Sequence, residues 1–220
     1  MEYPNVKKGI NKIYVGEILT LMGAALAVVM VILLAVNHID TKGTGAAFLQ
    51  EIRASGMVIP FVVYAVGTLV LFLAGGILAL AGIIQAAHDE ESFKRALGVA
   101  LLSIAVSIIG SFLQQKATGI SKWIEIASTI LTMMIALLVL GGIGEVARSL
   151  GNKEVEDAAQ KTSKIVLYPF ILSAVAEFLV AILNLNQSSV ALFSVAIYVL
   201  DIVSYVVYIK ALAKAKAMLE

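Results

Sequence analysis

Six apolar stretches alternate with short polar ones along this chain of 220 residues. They run Ile13–Val36, Val58–Ile84, Ala96–Leu113, Trp123–Ile143, Ile165–Leu183 and Val190–Ile209. Within each the apolar residues are continuous and do not alternate with polar ones, which predicts helices and argues against the strands of a barrel. About 20 helical residues cross a hydrocarbon layer roughly 30 Å thick. The second stretch is long enough to tilt. The third and fifth are short and are expected to borrow a turn from their flanks. The pattern therefore predicts an all-α integral membrane protein, a single domain over residues 1–220 with six transmembrane helices arranged as three hairpins.

The polar connections predict further local structure. In "HDEESFKRAL" the acids Asp89, Glu90 and Glu91 precede Lys94 and Arg95, an order that suits a helix start. In "GNKEVEDAAQKTSK", Asn152 is placed to cap a helix that begins before the fifth apolar stretch. The connection "DTKGTGAAFLQEIRASG" predicts a short interfacial helix around Phe48, Leu49 and Ile52. The glycine pairs Gly75-Gly76 and Gly141-Gly142 lie in similar surroundings in the second and fourth stretches, which tandem duplication of a hairpin would explain. These pairs, and the Gly16–Thr20–Ala24 face, have the small side chains of helix packing.

Charge adds an orientation. Twelve basic residues fall on one side of the six stretches: Lys7, Lys8, Lys12, Lys94, Arg95, Arg148, Lys153, Lys161, Lys164, Lys210, Lys214 and Lys216. The other side has Lys42, Arg53, Lys116 and Lys122. Basic residues concentrate in cytoplasmic loops, so both termini are expected in the cytoplasm, as in a bacterial-type plasma membrane. Composition agrees, with 60% hydrophobic residues, 14% charged and a mean hydropathy of +0.98. A soluble domain carries about 25% charged residues.

A formal charge of +1 lacks the basic stripe of a nucleic-acid binder. The chain contains no cysteine, hence no disulfide, thiolate metal site or cysteine nucleophile. The first apolar stretch is longer than the 7–15 residues, roughly, of a signal peptide's core, so no cleavable signal is expected.

Every Lys, Arg and His lies outside the apolar stretches, but the acids Glu17, Glu125, Glu177 and Asp201 lie inside them. Glu17 and Glu125 fall near the edges. Glu177 is placed about 10 Å, and Asp201 about 18 Å, below the outer ends of their helices. A charge at the bilayer centre costs at least about 2.5–3.5 kcal/mol, so such groups face a protein interior or water. The carboxyls are then protonated, hydrogen-bonded to hydroxyls, solvated, or paired with a cation from outside the chain.

Helical spacing puts Ser194, Tyr198, Tyr205 and Tyr208 on the face of Asp201, and Ser173 and Asn184 on that of Glu177. A Glu177–Tyr198–Asp201 line across the last hairpin is sterically reasonable, and Tyr208 also suits an interfacial belt. The serine and threonine stripes Ser103–Ser107–Ser111, Ser128–Thr132 and Tyr64–Thr68 fit helix packing.

No HExxH, GxSxG or Walker A pattern is present, so no enzymatic activity and no cofactor is expected. His38 with Asp40 offers only two donors for a metal, and His88 reads as a solvated loop residue. The expected function is binding or transport of a small molecule or cation. Its ligand- or proton-binding residues are Glu177, Asp201, Tyr198, Tyr205 and Ser173, and its partners are the lipid bilayer and a small cationic ligand or proton. The competing expectation is a non-transporting scaffold, either a partner subunit of a larger membrane complex or a homo-oligomer.

Overall fold

A computed structural model describes the backbone of residues 3–39, 45–113, 118–183 and 187–220. It describes their side chains except at 113, 118–123, 125, 173–183 and 187–198. Among the described residues the chain forms seven helices and no strand: α1 Pro4–Val36, α2 Gly45–Ala54, α3 Val58–Ala86, α4 Glu91–Leu113, α5 Thr118–Ser149, α6 Lys153–Leu183 and α7 Gln187–Leu219. Each apolar stretch lies within one long helix, and the short helix expected around Phe48 is α2. Four helices (α1, α3, α4 and α5) are long and apolar enough over their described residues to cross a membrane. Their outer faces fit that setting, since Ile59, Ile77 and Phe112 are 76%, 67% and 71% exposed. Water would not tolerate such continuous apolar surfaces. The protein is therefore all-helical and has multi-pass membrane character.

The chain packs as two compact units, Met1–Tyr14 with Leu80–Glu220, and Val15–Ala79. In the first, α4 packs on α5, α5 on α6 and α6 on α7, with α7 also meeting α5. The helices outrun their apolar stretches here, and the extensions build the core together with the adjoining ends of those stretches. Val6, Ile10 and Ile13 from the start of α1 join Phe93, Leu140, Ile143, Val146, Val155, Ala159, Leu212 and Ala215. Gly142 admits the ring of Phe93, for a Cβ there would lie 2.6 Å from Phe93 Cε2.

One residue closes α5 and opens α6. Gly151 takes a left-handed φ of 70°, and the N–H of Asn152 reaches back to the Ala147 carbonyl at 2.8 Å. The Asn152 side chain then accepts the Val155 N–H at 3.1 Å, the N-cap that its sequence context predicts.

Termini and turns meet at this end of the unit. The Lys7 ammonium lies 3.5 Å from the Glu220 carbonyl, and Lys216 Nζ stands 5.6 Å from the centre of the Tyr14 ring. Backbones also come close. Gly9 meets Gly82 so tightly that a Cβ on Gly82 would lie 2.5 Å from the Gly9 carbonyl oxygen.

Within the second unit, a Cβ on Gly16 would lie 2.6 Å from the Gly75 oxygen, and one on Gly75 would lie 2.5 Å from Thr20 Oγ1. The packing role expected of Gly16, Thr20 and Gly75 is realised. Leu34, Ile39 and Ile52 form the core of this unit, with Phe48 edge-on to Phe61 at 5.6 Å.

Pro169 interrupts the backbone ladder of α6. Lacking an N–H, it leaves the carbonyl of Ile165 without its usual donor four residues on. The hydroxyl of buried Ser204 on α7 donates to that carbonyl at 3.3 Å. This hydrogen bond replaces the missing one and ties α6 to α7.

Two stability predictions follow from these contacts. Gly82→Val should destabilise the protein by about 1–3 kcal/mol, the usual range for overfilling a packed site, whereas Gly76→Ala, where no atom lies within 4 Å, should not. Thermal unfolding in detergent measures both. Ser204→Ala should cost about 1 kcal/mol in the natural chain and much less in a Pro169→Ala background, where an N–H again reaches Ile165; a double-mutant cycle reads the difference.

Candidate functional site on helix α7

The inward face of α7 can be followed residue by residue. Ser204, Tyr208, Ala211, Leu212 and Ala215 are buried and recur at helical spacing. Tyr208 belongs to this core and not to an interfacial belt. Tyr205 is half-buried and packs against the same cluster. Three residues before Ser204 and seven before Tyr208, Asp201 falls at the centre of the stripe, yet it is exposed. The opposite face carries Val199, Ile202, Val203 and Val206, all exposed and apolar. Asp201 thus lies on the core-facing side of α7.

This geometry joins Asp201 and Tyr205 on one face, as their spacing predicts. The side chains of Glu177, Tyr198 and Ser173 lie outside the described ones. Glu125, Asn184, Ser194 and Asp40 do so as well. Glu17 is half-buried in α1. The serine stripes satisfy themselves locally: Ser111 donates to the Ser107 carbonyl at 2.9 Å and Thr132 to that of Ser128 at 3.0 Å.

His38 closes α1 in a left-handed conformation with φ 54°. His88 is exposed, its Nδ1 lying 3.0 Å from the Ile84 carbonyl. Among the described residues no three His, Asp or Glu side chains converge as metal ligands would.

A second polar cluster was not legible from spacing. It forms where the α3–α4 turn meets α1 and α5. Asp89 Oδ2 accepts the N–H groups of Asn5 at 2.7 Å and Val6 at 3.1 Å, while Asn5 Nδ2 donates to Oδ1 at 2.7 Å. The turn thereby caps α1 from a distance. Burial opposes the charge on Asp89, but these hydrogen bonds outweigh it and hold the carboxyl below its ordinary range.

Beside it, Glu90 shares a hydrogen bond with Glu145 of α5, whose Oε2 also accepts the Ser92 hydroxyl at 2.8 Å. Burial and then the neighbouring carboxyl push Glu90 above the usual carboxylate range. Glu91 turns the other way, to Lys94 at 3.6 Å and Arg95 at 3.9 Å.

The two shifts have opposite consequences. Asp89, lowered on folding, stabilises above the ordinary Asp range and loses that contribution as pH falls through its folded value. Glu90, raised on folding, stabilises below the ordinary Glu range and loses its contribution as pH rises through its folded value. Glu90→Gln keeps a donor towards Glu145 at every pH. It should flatten the decline in stability as pH rises above the ordinary Glu range and leave the loss due to Asp89 at lower pH in place, as measured by unfolding temperature against pH.

No protein-family model, curated protein or solved structure matches this chain, so its function must be read from these residues.

Proposed function

We propose that the chain is a six-span membrane protein, both termini cytoplasmic, that binds or transports a small cation or small molecule through Asp201. The observation that carries this reading is an acid on the core-facing stripe of α7 that stays exposed among the described side chains. A carboxyl whose task was structural hydrogen bonding would sit among packed donors. One left open at membrane depth can take up a proton or cation and release it again. Tyr205 flanks it, and Glu177, Tyr198 and Ser173 complete the proposed site.

The six-span topology has its own support. The first turn of α1 and the last of α7 meet at one end of their unit, which supports an even number of crossings. The α5–α6 turn joins them there, for Glu154 pairs with Lys214 at 2.8 Å. That end holds most of the basic residues, which favours a cytoplasmic side for it.

Because the chain has no cysteine, single cysteines test the topology cleanly. In intact cells a membrane-impermeant maleimide should label Ala46→Cys and Gln187→Cys, and should reach Asp157→Cys only after permeabilisation. For the site, the reconstituted protein is treated with the apolar carbodiimide dicyclohexylcarbodiimide, which attacks protonated carboxyls. Mass spectrometry should find Asp201 modified, less so as pH rises, and protected by one of a panel of alkali and organic ammonium cations. Asp201→Asn should remove the label while the protein stays folded. Labelling indifferent to pH and to every cation would overturn the reading and leave a scaffold or partner subunit.

A further inference from the structure

The outward surface of α6 and α7 carries a different kind of site. On α6, Lys161 and Lys164 are exposed on the same helical face as Tyr168, Ile171 and Leu172, which are also exposed. On α7, Lys210 is exposed on the face that continues through Val206, Val203 and Val199. Each helix thus presents ammonium groups directly above an apolar surface.

Two contacts fix how the helices lie against each other. The Glu154–Lys214 ion pair at 2.8 Å marks one level and the Ser204–Ile165 hydrogen bond at 3.3 Å another. The helices run antiparallel, and the three lysines fall between these two levels. At a rise of about 1.5 Å per residue they occupy a band roughly 8 Å deep.

Acids occupy several basic side chains of this unit but not these three, which share that state with Lys8, Lys12 and Lys153. Lys94 and Arg95 meet Glu91, Arg148 meets Glu156, Lys214 meets Glu154 and Lys216 meets Glu220. Lys161, Lys164 and Lys210 form no ion pair with any described residue. Asp157, one turn from Lys161 on the side away from the apolar surface, is the nearest acid on that face of α6.

We infer that this surface seats an anionic phospholipid of the cytoplasmic leaflet, its phosphate among Lys161, Lys164 and Lys210 and its acyl chains along the apolar face below. Charge complementarity selects the headgroup. The unbroken passage from lysines through Tyr168 to aliphatic side chains selects a lipid over a soluble anion, which has no use for the apolar part. An acidic protein segment would meet the lysines but leave that apolar part to generic lipid. The inference rests on α6 and α7 crossing the membrane, as proposed above, and is independent of whether Asp201 binds a cation.

The test is lipid retention by the full-length protein, reconstituted in equal phosphatidylcholine and phosphatidylglycerol, extracted into detergent and weighed by native mass spectrometry. The natural chain should retain phosphatidylglycerol selectively. Lys161→Gln/Lys164→Gln/Lys210→Gln should lose that selectivity by at least about fivefold, the share of a single basic side chain near an anionic surface. Lys94→Gln/Lys153→Gln should keep it. A natural chain without preference, or a triple variant that retains phosphatidylglycerol as before, would overturn the inference. So would unchanged lipid retention with loss of a bound acidic protein, which would identify that other occupant. Failure of the topology is read separately, since Tyr168→Cys would then react freely with the impermeant maleimide, whereas in a spanning α6 it is shielded.

Discussion

A backbone in hydrocarbon has no water to fall back on, so each of its N–H and C=O groups must find a partner within the protein. The long helices meet this demand by themselves almost everywhere. At Pro169 one of them does not, and the response is specific: a buried serine from the next helix donates to the carbonyl that the proline has abandoned. A local defect in α6 thereby becomes a register mark between α6 and α7. Three residues along α7 from that mark stands Asp201. The position of the candidate site depends on a hydrogen bond required by a proline.

Packing follows a related logic. Lipid tails are as apolar as leucine, so helices gain little by burying apolar side chains against one another and more by close approach. The contacts of Gly9 with Gly82, and of Gly16 with Gly75, are of this kind. The glycines recur every seventh residue on both helices, which returns them to nearly the same side of a helix. Beyond the apolar stretches the rules change, and ordinary core residues such as Phe93, Val146 and Leu212 do the packing. There Asp89, from the α3–α4 turn, supplies N-terminal N–H groups of α1 with an acceptor.

What could be read from the sequence was whatever the local chain determines. Helix positions follow from continuous apolar stretches, the Asn152 cap from a short polar motif, and the α2 helix from Phe48, Leu49 and Ile52. The shared face of Asp201, Tyr205 and Tyr208 follows from helical period alone. The partnerships of Asp89 with Asn5 and of Glu90 with Glu145 were illegible, because they join residues far apart in the chain whose surroundings suggested only a helix start. Ser204 is similar: its neighbours mark it as one more small residue in an apolar helix, and only the missing N–H of Pro169 explains it. Tyr208 was ambiguous between belt and core, since a tyrosine near the end of an apolar stretch suits either, and the extension of α7 decides for core.

The charges are also sorted by depth. Basic side chains stay at the ends of the helices, where long aliphatic stems let an ammonium reach water or phosphate. The charged residues within the apolar stretches are acids, whose protonated form is neutral and tolerates low dielectric. A lysine at the level of Asp201 would have to shed its proton against a high intrinsic affinity, whereas a carboxyl becomes neutral by gaining one. A deep acid can therefore exist in two states of similar cost, provided that something admits the proton or cation that separates them. Packed donors around Asp201 would select one of those states permanently. Its exposed place on an otherwise buried stripe is what the proposed exchange of a proton or cation would require, since it would leave both states accessible.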